Sequence, residues 1–175
     1  DGKSQRIVLE AIHNCIAHQD YTRCERALVI ERVGELEFRN AGRFYDGTPE
    51  DYILGNRTPS RYRNRFLAAA MATLRMIDTM GFGIREVMFR GQARRYLPLP
   101  DYDLSDPDHV VMRLAGRFID ENYSRALLTH SDFSLSDILA LDRIQKGLLP
   151  EEFMLKALRK RGLVEAPRDV RNPCS

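Results

Sequence analysis

The hydrophobic pattern changes period within the first forty residues, and that change restricts the chain to folds in which a helix lies against a sheet. From Ser4 to about His18, the residues Ile7, Val8, Ala11, Ile12, Cys15 and Ile16 fall on one arc at the roughly 100° per residue of an α-helix. The spacing predicts a half-buried helix. Two extended segments follow, Ala27 to Val33 and Glu35 to Asn40, rich in Val, Ile, Leu and Phe and joined through Gly34. Such residues flanking a glycine turn predict a hairpin. Each element has an apolar face to bury, so the expected class is α/β in the α+β sense, a helix-and-sheet sandwich.

Asn40 to Pro59, with Gly42, Gly47, Pro49, Gly55 and Pro59, reads as a loop holding a short helix capped by Thr48, with Pro49 in its first turn. A second helix is expected from Tyr62 to Thr79. Gly81-Phe82-Gly83 interrupts the pattern, and Ile84 to Arg95 forms a third helix. Pro98, Pro100, Asp101, Asp103 and Pro107 mark a polar connector before a strand at His109 to Leu114. The expected domain boundary lies near Gly116, dividing the chain into 1–116 and 117–175. Beyond it, Phe118 to Thr129, Leu135 to Lys146 and Pro150 to Arg161 read as helices, and Leu163-Val164-Glu165 as the start of a strand. Three helices and a strand outline a winged helix, an outline that small helical bundles share.

Composition excludes several classes. The chain has 175 residues, 43% hydrophobic and 30% charged, which is ordinary globular composition. No apolar run approaches the roughly 18 residues of a membrane span, and nothing resembles a cleavable signal peptide. Cys15, Cys24 and Cys174 form an odd set without a CxxC pair, which fits a reducing cytoplasm rather than a disulfide framework or a thiolate zinc site. A start at Asp1-Gly2-Lys3 that runs directly into a helix suggests a fragment lacking an N-terminal part. The net charge of +2 directs attention to local clusters: Arg57, Arg61, Arg63 and Arg65; Arg85, Arg90, Arg94 and Arg95; and Lys156, Arg159, Lys160 and Arg161. Each cluster reads first as a solvated face, since charged helix faces are common.

Glu10, Asn14 and His18 stand at i, i+4 and i+8, each about 40° from the last, and so form one polar stripe at the edge of the apolar arc. The stripe reads either as the polar border of a packed helix or as a row of side chains reaching a ligand. His13, His18 and Asp20 scatter round the helix end and make a poor metal set. Gly81-Phe82-Gly83, opening a helix, would let backbone N–H groups approach phosphates. No GxxxxGK[ST], GxSxG or HExxH pattern occurs, so a helicase motor is not expected in this chain.

Glu10-Ala11-Ile12-His13-Asn14-Cys15-Ile16-Ala17-His18-Gln19-Asp20-Tyr21 resembles the E-A-x-x-N-A-x-x-H-R-D-Y signature of a bacterial family, the C-terminal domain of RecG-like ATP-dependent DNA helicases and transcriptional regulators. Asn40-Ala41-Gly42, Thr48-Pro49-Glu50-Asp51, Asn64-Arg65-Phe66-Leu67 and Ile77-Asp78-Thr79-Met80-Gly81-Phe82-Gly83-Ile84 are similar to further blocks, in the family's order. The resemblance continues through Leu97-Pro98-Leu99-Pro100-Asp101-Tyr102 and Ile119-Asp120-Glu121-Asn122-Tyr123. It implies a domain similar to the GHKL (Bergerat) ATPases over 1–116 and a winged-helix-like domain over 117–175, commonly preceded in relatives by a Schlafen/AlbA-like domain.

By this resemblance Glu10 orients water for attack on the γ-phosphate and Asn14 binds Mg²⁺. His18, Asn40, Gly42, Gly81 and Gly83 complete the ATP site. The chemistry is intelligible, since a carboxylate positions and partly deprotonates water and an amide oxygen is a hard neutral ligand for Mg²⁺. Two departures stand out. Asn40 occupies the place of the aspartate that accepts a hydrogen bond from the adenine amine in GHKL enzymes, and Gln19 replaces the family's arginine after His18. In the C-terminal unit, Lys156, Arg159, Lys160 and Arg161 would meet DNA phosphates or base edges. The expected function is a DNA-binding transcriptional regulator with a nucleotide-binding or degenerate GHKL-like domain. A weak Mg²⁺-dependent ATPase and a protein-contact platform, including a homo-oligomer, are the alternatives.

Overall fold

The computed structural model describes residues 2–78 and 80–164, and these form an α+β architecture with helices packed on one face of a four-stranded antiparallel sheet. The strands are β1 Leu28–Arg32, β2 Glu35–Ala41, β3 Asp101–Asp103 and β4 His109–Ala115, in the order β1-β2-β4-β3. The β1–β2 hairpin closes at Arg32 opposite Glu35, as the Gly34 turn dictates. Against β4, β2 pairs Leu36 with Leu114, Phe38 with Met112 and Asn40 with Val110. Side chains alternate along a strand, so these six share the inner face, where Phe38 is fully buried. The opposite face carries Glu37 between Arg32 and Arg113, with Arg113 also paired to Asp103.

Helix α1, Gly2–His18, presents Ile7, Ala11 and Cys15 to that inner face, one residue per turn of the arc read from the sequence. The last carbonyls of a helix need external partners. Asn64 supplies one: its Nδ2 donates to the carbonyls of Ala17 (3.0 Å) and Gln19 (2.7 Å). Gln19, 1% exposed, ties the same end to the sheet, its Oε1 accepting from Ala41 N (2.9 Å) and its Nε2 donating to the Glu25 carbonyl (3.0 Å). Gln19 is therefore a buried amide bridge between α1 and β2.

Helix α2, Pro49–Ile53, begins with a capping box between Thr48 and Asp51 and has Pro49 in its first turn, as expected. Helix α3, Arg65–Thr73, is shorter than the expected Tyr62 to Thr79. Asn64 acts as its N-cap residue, and Arg75 adopts a left-handed φ of 57° that ends it, with Met76 N donating back to the Met71 carbonyl. Thr79 lies outside the described residues. The third expected helix starts one residue early, as a π-helical segment α4 over Gly83–Phe89 that continues as α5, Arg90–Ala93. The strand β3 falls in the connector, where proline and aspartate concealed it. It exists by pairing with β4, Tyr102 facing Met112.

The C-terminal helices are α6 Glu121–Thr129, α7 Leu135–Gln145 and α8 Glu152–Lys160, capped by Asp120 at α6 and by a Ser134–Asp137 capping box at α7. Tyr123, Leu127, Leu139, Met154 and Leu158 belong to the same core cluster as Phe38, Met88 and Phe89. Asp142 of α7, 2% exposed, accepts from Leu99 N (2.9 Å), Gln145 Nε2 (2.7 Å) and Lys146 Nζ (2.6 Å), clamping α7 to the segment that enters β3. Leu163 and Val164 are not in a strand, and Glu165 and the tail after it lie outside the described residues. Among the described residues no helix is long and apolar enough to cross a membrane.

Candidate functional site

A cleft of about 1020 Å³, counting its open mouth, lies between α1, the inner face of the sheet and the 43–84 segment. Its floor is apolar, from Ala11 and Cys15 of α1 to Val110 and Met112 of β4. Burial pushes the Cys15 thiol up to about 12, so the side chain acts as an inert part of that floor. The polar stripe of α1 forms one wall. Glu10, Asn14 and His18 all line the cleft, joined by Asn40, Gly81 and Gly83. A row that the spacing left open between packing and ligand contact thus faces a cavity.

Glu10 and Asn14 are mutually engaged. Asn14 Nδ2 donates to the Glu10 carbonyl (2.9 Å) and to its carboxylate Oε1 (3.1 Å). Two acceptors on one side of the amide fix its orientation and leave Oδ1 as the atom free to ligate. An uncharged oxygen beside a carboxylate suits a hard cation such as Mg²⁺, so this donor set fits the metal implied by the family resemblance. Burial is the main cause that raises the Glu10 pKa above the ordinary carboxylate range, opposed by the Asn14 bond and by His13. The result is a more basic carboxylate than a solvated one.

Gly83 explains how that carboxylate is enclosed. A Cβ at this position would lie 1.8 Å from Glu10 Oε1, so glycine lets the start of α4 close on the Glu10 carboxylate where it stands. The Asp78 carboxylate accepts from Phe82 N (2.6 Å), holding the Gly81–Gly83 turn against the mouth. At the far end of the stripe, His18 stacks on Tyr62 with ring centroids 6.2 Å apart and planes 17° apart. Burial, assisted by the nearby Arg63 guanidinium, lowers the His18 pKa and keeps the imidazole neutral. The Tyr62 hydroxyl is buried without a hydrogen-bond partner among the described residues.

Gly42 stands apart from the other expected site residues and does not line the cleft. Its φ is +92°, its N–H donates to the Asp108 carbonyl (2.7 Å), and an added Cβ would meet Asp20 Cβ at 2.8 Å. It serves the turn after β2, beneath the Asp20–Arg63 pair. The arginine-rich stretch divides by role. Arg57 pairs with Asp46 (2.6 Å), Arg63 with Asp20 (2.9 Å), and Arg65 lies over the Phe66 ring, while Arg61 lines the cleft. Arg43 and Tyr62 also line it, and the sequence offered no periodic signal for either, because both sit in irregular backbone.

The C-terminal basic residues are likewise split. Lys156, Arg159 and Lys160 are exposed on α8, Lys156 being 2.7 Å from Glu152. Arg161, also exposed, is paired with Asp132 and Asp137 and stacked 4.9 Å from the Phe133 centroid.

Residues 32–114 match the family model described as "Putative ATP-dependent DNA helicase recG C-terminal". Asn40, Gly42, Gly81 and Gly83 fall within the matched residues, and α1 with Glu10, Asn14 and His18 lies ahead of them. Among solved structures, the chain is similar to the DIP2311 protein from Corynebacterium diphtheriae, at 21% identity and a TM-score of 0.57. The match covers 89% of this chain and 35% of that one, so this chain spans about a third of its relative's length, and the likeness is one of fold. No curated protein matches the chain.

Proposed function

We propose that the cleft binds a Mg²⁺–nucleotide, ATP in the first instance, and that Glu10 is the group that activates water for its hydrolysis. The observation that carries this reading is the Glu10–Asn14 pair on one wall of a cleft whose floor is apolar. Asn14 Oδ1 would hold the metal, which when bound would neutralise phosphate charge. The ATPase-type family match over 32–114 supports nucleotide binding by the same cleft. Glu10, made more basic by burial, would orient a water and accept its proton. Gly81 and Gly83 bring backbone N–H groups to the cleft mouth, where phosphates would lie.

The test is Glu10→Ala. It should abolish phosphate release while leaving nucleotide affinity within a few fold, because the carboxylate acts on water and not on the nucleotide. Equal residual hydrolysis in variant and wild type would sink the catalytic role.

A second reading, a DNA-associated regulator, draws on α8. Lys156, Arg159 and Lys160 share an exposed arc of that helix, on the side away from buried Met154 and Leu158. The expected result for the whole chain is duplex binding whose dependence on salt weakens by about one counterion for each of these residues replaced by alanine. Unchanged salt dependence in the triple variant would remove this surface from consideration.

A further inference from the structure

Five arginines fall between residues 43 and 65, and the fold employs three of them. Arg57 pairs with Asp46 (2.6 Å), Arg63 with Asp20 (2.9 Å), and Arg65 lies over the Phe66 ring. Arg43 and Arg61 are the two that line the cleft, both exposed and neither meeting a carboxylate among the described residues. Asp46, the carboxylate that this segment itself brings to the cleft, is occupied by Arg57 and by the Tyr52 and Ser60 hydroxyls. The segment therefore presents two positive charges to the cleft that no described residue neutralises.

The acidic groups of the cleft stand apart from them. Glu10 lies on α1 and Asp78 ahead of the Gly81 turn, and the charged neighbours that act on Glu10 are His13, Asp78 and Arg6. A cavity with separate acidic and basic groups suits a ligand that carries a cation on one side and anionic oxygens on another. A Mg²⁺-bound polyphosphate is such a ligand: the metal neutralises part of the charge, and the oxygens away from it stay anionic. A guanidinium meets those oxygens with two parallel N–H bonds, in a planar fork that matches phosphate geometry.

We infer that Arg43 and Arg61 hold the phosphate chain of the nucleotide, taking the oxygens that face away from a metal at the Glu10–Asn14 wall. This deepens the nucleotide-binding reading above and rests on it. Both arginines are positioning residues: they fix the phosphate chain between the metal and the 43–61 segment and take no part in moving the proton of the attacking water.

The experiment is titration of the whole chain with ATP in the presence of Mg²⁺, with glutamine and then glutamate replacing each arginine singly and both together, and circular dichroism as the check on folding. Glutamine removes the charge and keeps a polar side chain, whereas glutamate reverses the charge. Arg65→Gln is the control, because it removes the same charge from the same stretch at a residue that does not line the cleft. Arg43→Gln and Arg61→Gln should each weaken ATP by about 5- to 10-fold, below the full strength of a charge-assisted hydrogen bond because the side chains are exposed. The glutamate variants should lose more, and Arg65→Gln less than about twofold. The losses should shrink as salt rises from about 0.05 to 0.5 M, since ions screen exposed charges. The ligand-free melting temperature should stay within about 2 °C of the wild type, because neither side chain is paired in the fold. A folded Arg43→Gln, Arg61→Gln double variant that binds ATP within about twofold of the wild type overturns the inference while leaving nucleotide binding intact. An equal loss in Arg65→Gln also overturns it, since overall charge and not contact would then set the affinity. A wild type that binds no ATP overturns the underlying reading instead.

Discussion

Replacing Gly83 by alanine should change sign according to what stands at position 10. Gly83 opens a helical segment without a positive φ, so alanine there would ordinarily stabilise by up to about 1 kcal/mol through lower unfolded-state entropy and better helix propensity. The new methyl would stand 1.8 Å from Glu10 Oε1 and 2.7 Å from Glu10 Cδ. The carboxylate lies at the end of a flexible side chain and can swing aside, at about 0.5–1.5 kcal/mol if it leaves its rotamer. Breaking its bond from Asn14 adds about 1 kcal/mol. The clash thus cancels or outweighs the propensity gain, and in a Glu10→Ala background the gain is recovered. The coupling between the two sites should be about 1.5–2.5 kcal/mol, read as a difference of roughly 3–10 °C in the melting shift caused by Gly83→Ala in the two backgrounds. Additive melting shifts would refute the close approach of Gly83 to Glu10.

Two further outcomes follow from other parts of the fold. His109, at the start of β4, lies 2.8 Å from both Glu25 and Asp106, and these partners raise its pKa. Its contribution is therefore present in full below the ordinary histidine value and is lost as pH rises through the raised one. The stability difference between wild type and His109→Gln, followed by denaturant titration, should shrink from pH 5.5 to 8.5, and a difference that grows with pH contradicts the pairing. Asp142→Ala leaves the buried Leu99 N–H without its acceptor and removes one of the two carboxylates that hold Lys146, Asp101 remaining, and should cost about 1–3 kcal/mol. A loss below about 1 kcal/mol in chemical denaturation would mean that this clamp does not hold α7 to the sheet.

The helices and the hairpin were legible because their periodicity expresses one-sided burial, which local sequence records. Ile7, Ala11 and Cys15 were assigned to the core from spacing alone and are buried. The caps at Thr48 and Ser134 follow the same logic of local hydrogen bonding, although only the first was anticipated. What escaped was set by distant partners. Strand β3 is three residues long and has no pattern of its own beyond its pairing with β4. The stop of α3 at Arg75 has no glycine or proline to announce it. In the cleft, the wall formed by Glu10, Asn14 and His18 could be read from i, i+4, i+8 spacing, because one helix carries all three. Tyr62 against His18, and the seal of Gly83 on Glu10, join residues more than forty positions apart. Gly42, placed in the site by its motif, turns out to shape the bend after β2.

A division of labour emerges along α1. Its buried arc fixes the helix to the sheet, its C-terminal carbonyls are held by Asn64, and its polar edge is left for the cleft. Gln19 tethers the end of α1 to β2 by accepting from Ala41 N, at a distance along the helix from the Glu10–Asn14 pair.

The most direct test of the nucleotide reading is the melting temperature of the chain with Mg²⁺ and ATP or a non-hydrolysable analogue, beside the Asn14→Ala variant. A nucleotide present at 100 times its dissociation constant stabilises a folded protein by about 2.7 kcal/mol, or roughly 5–10 °C for a chain of this size. The account predicts a shift of that order for the wild type and its loss in Asn14→Ala; no shift at millimolar nucleotide, or an equal shift in both proteins, would contradict it.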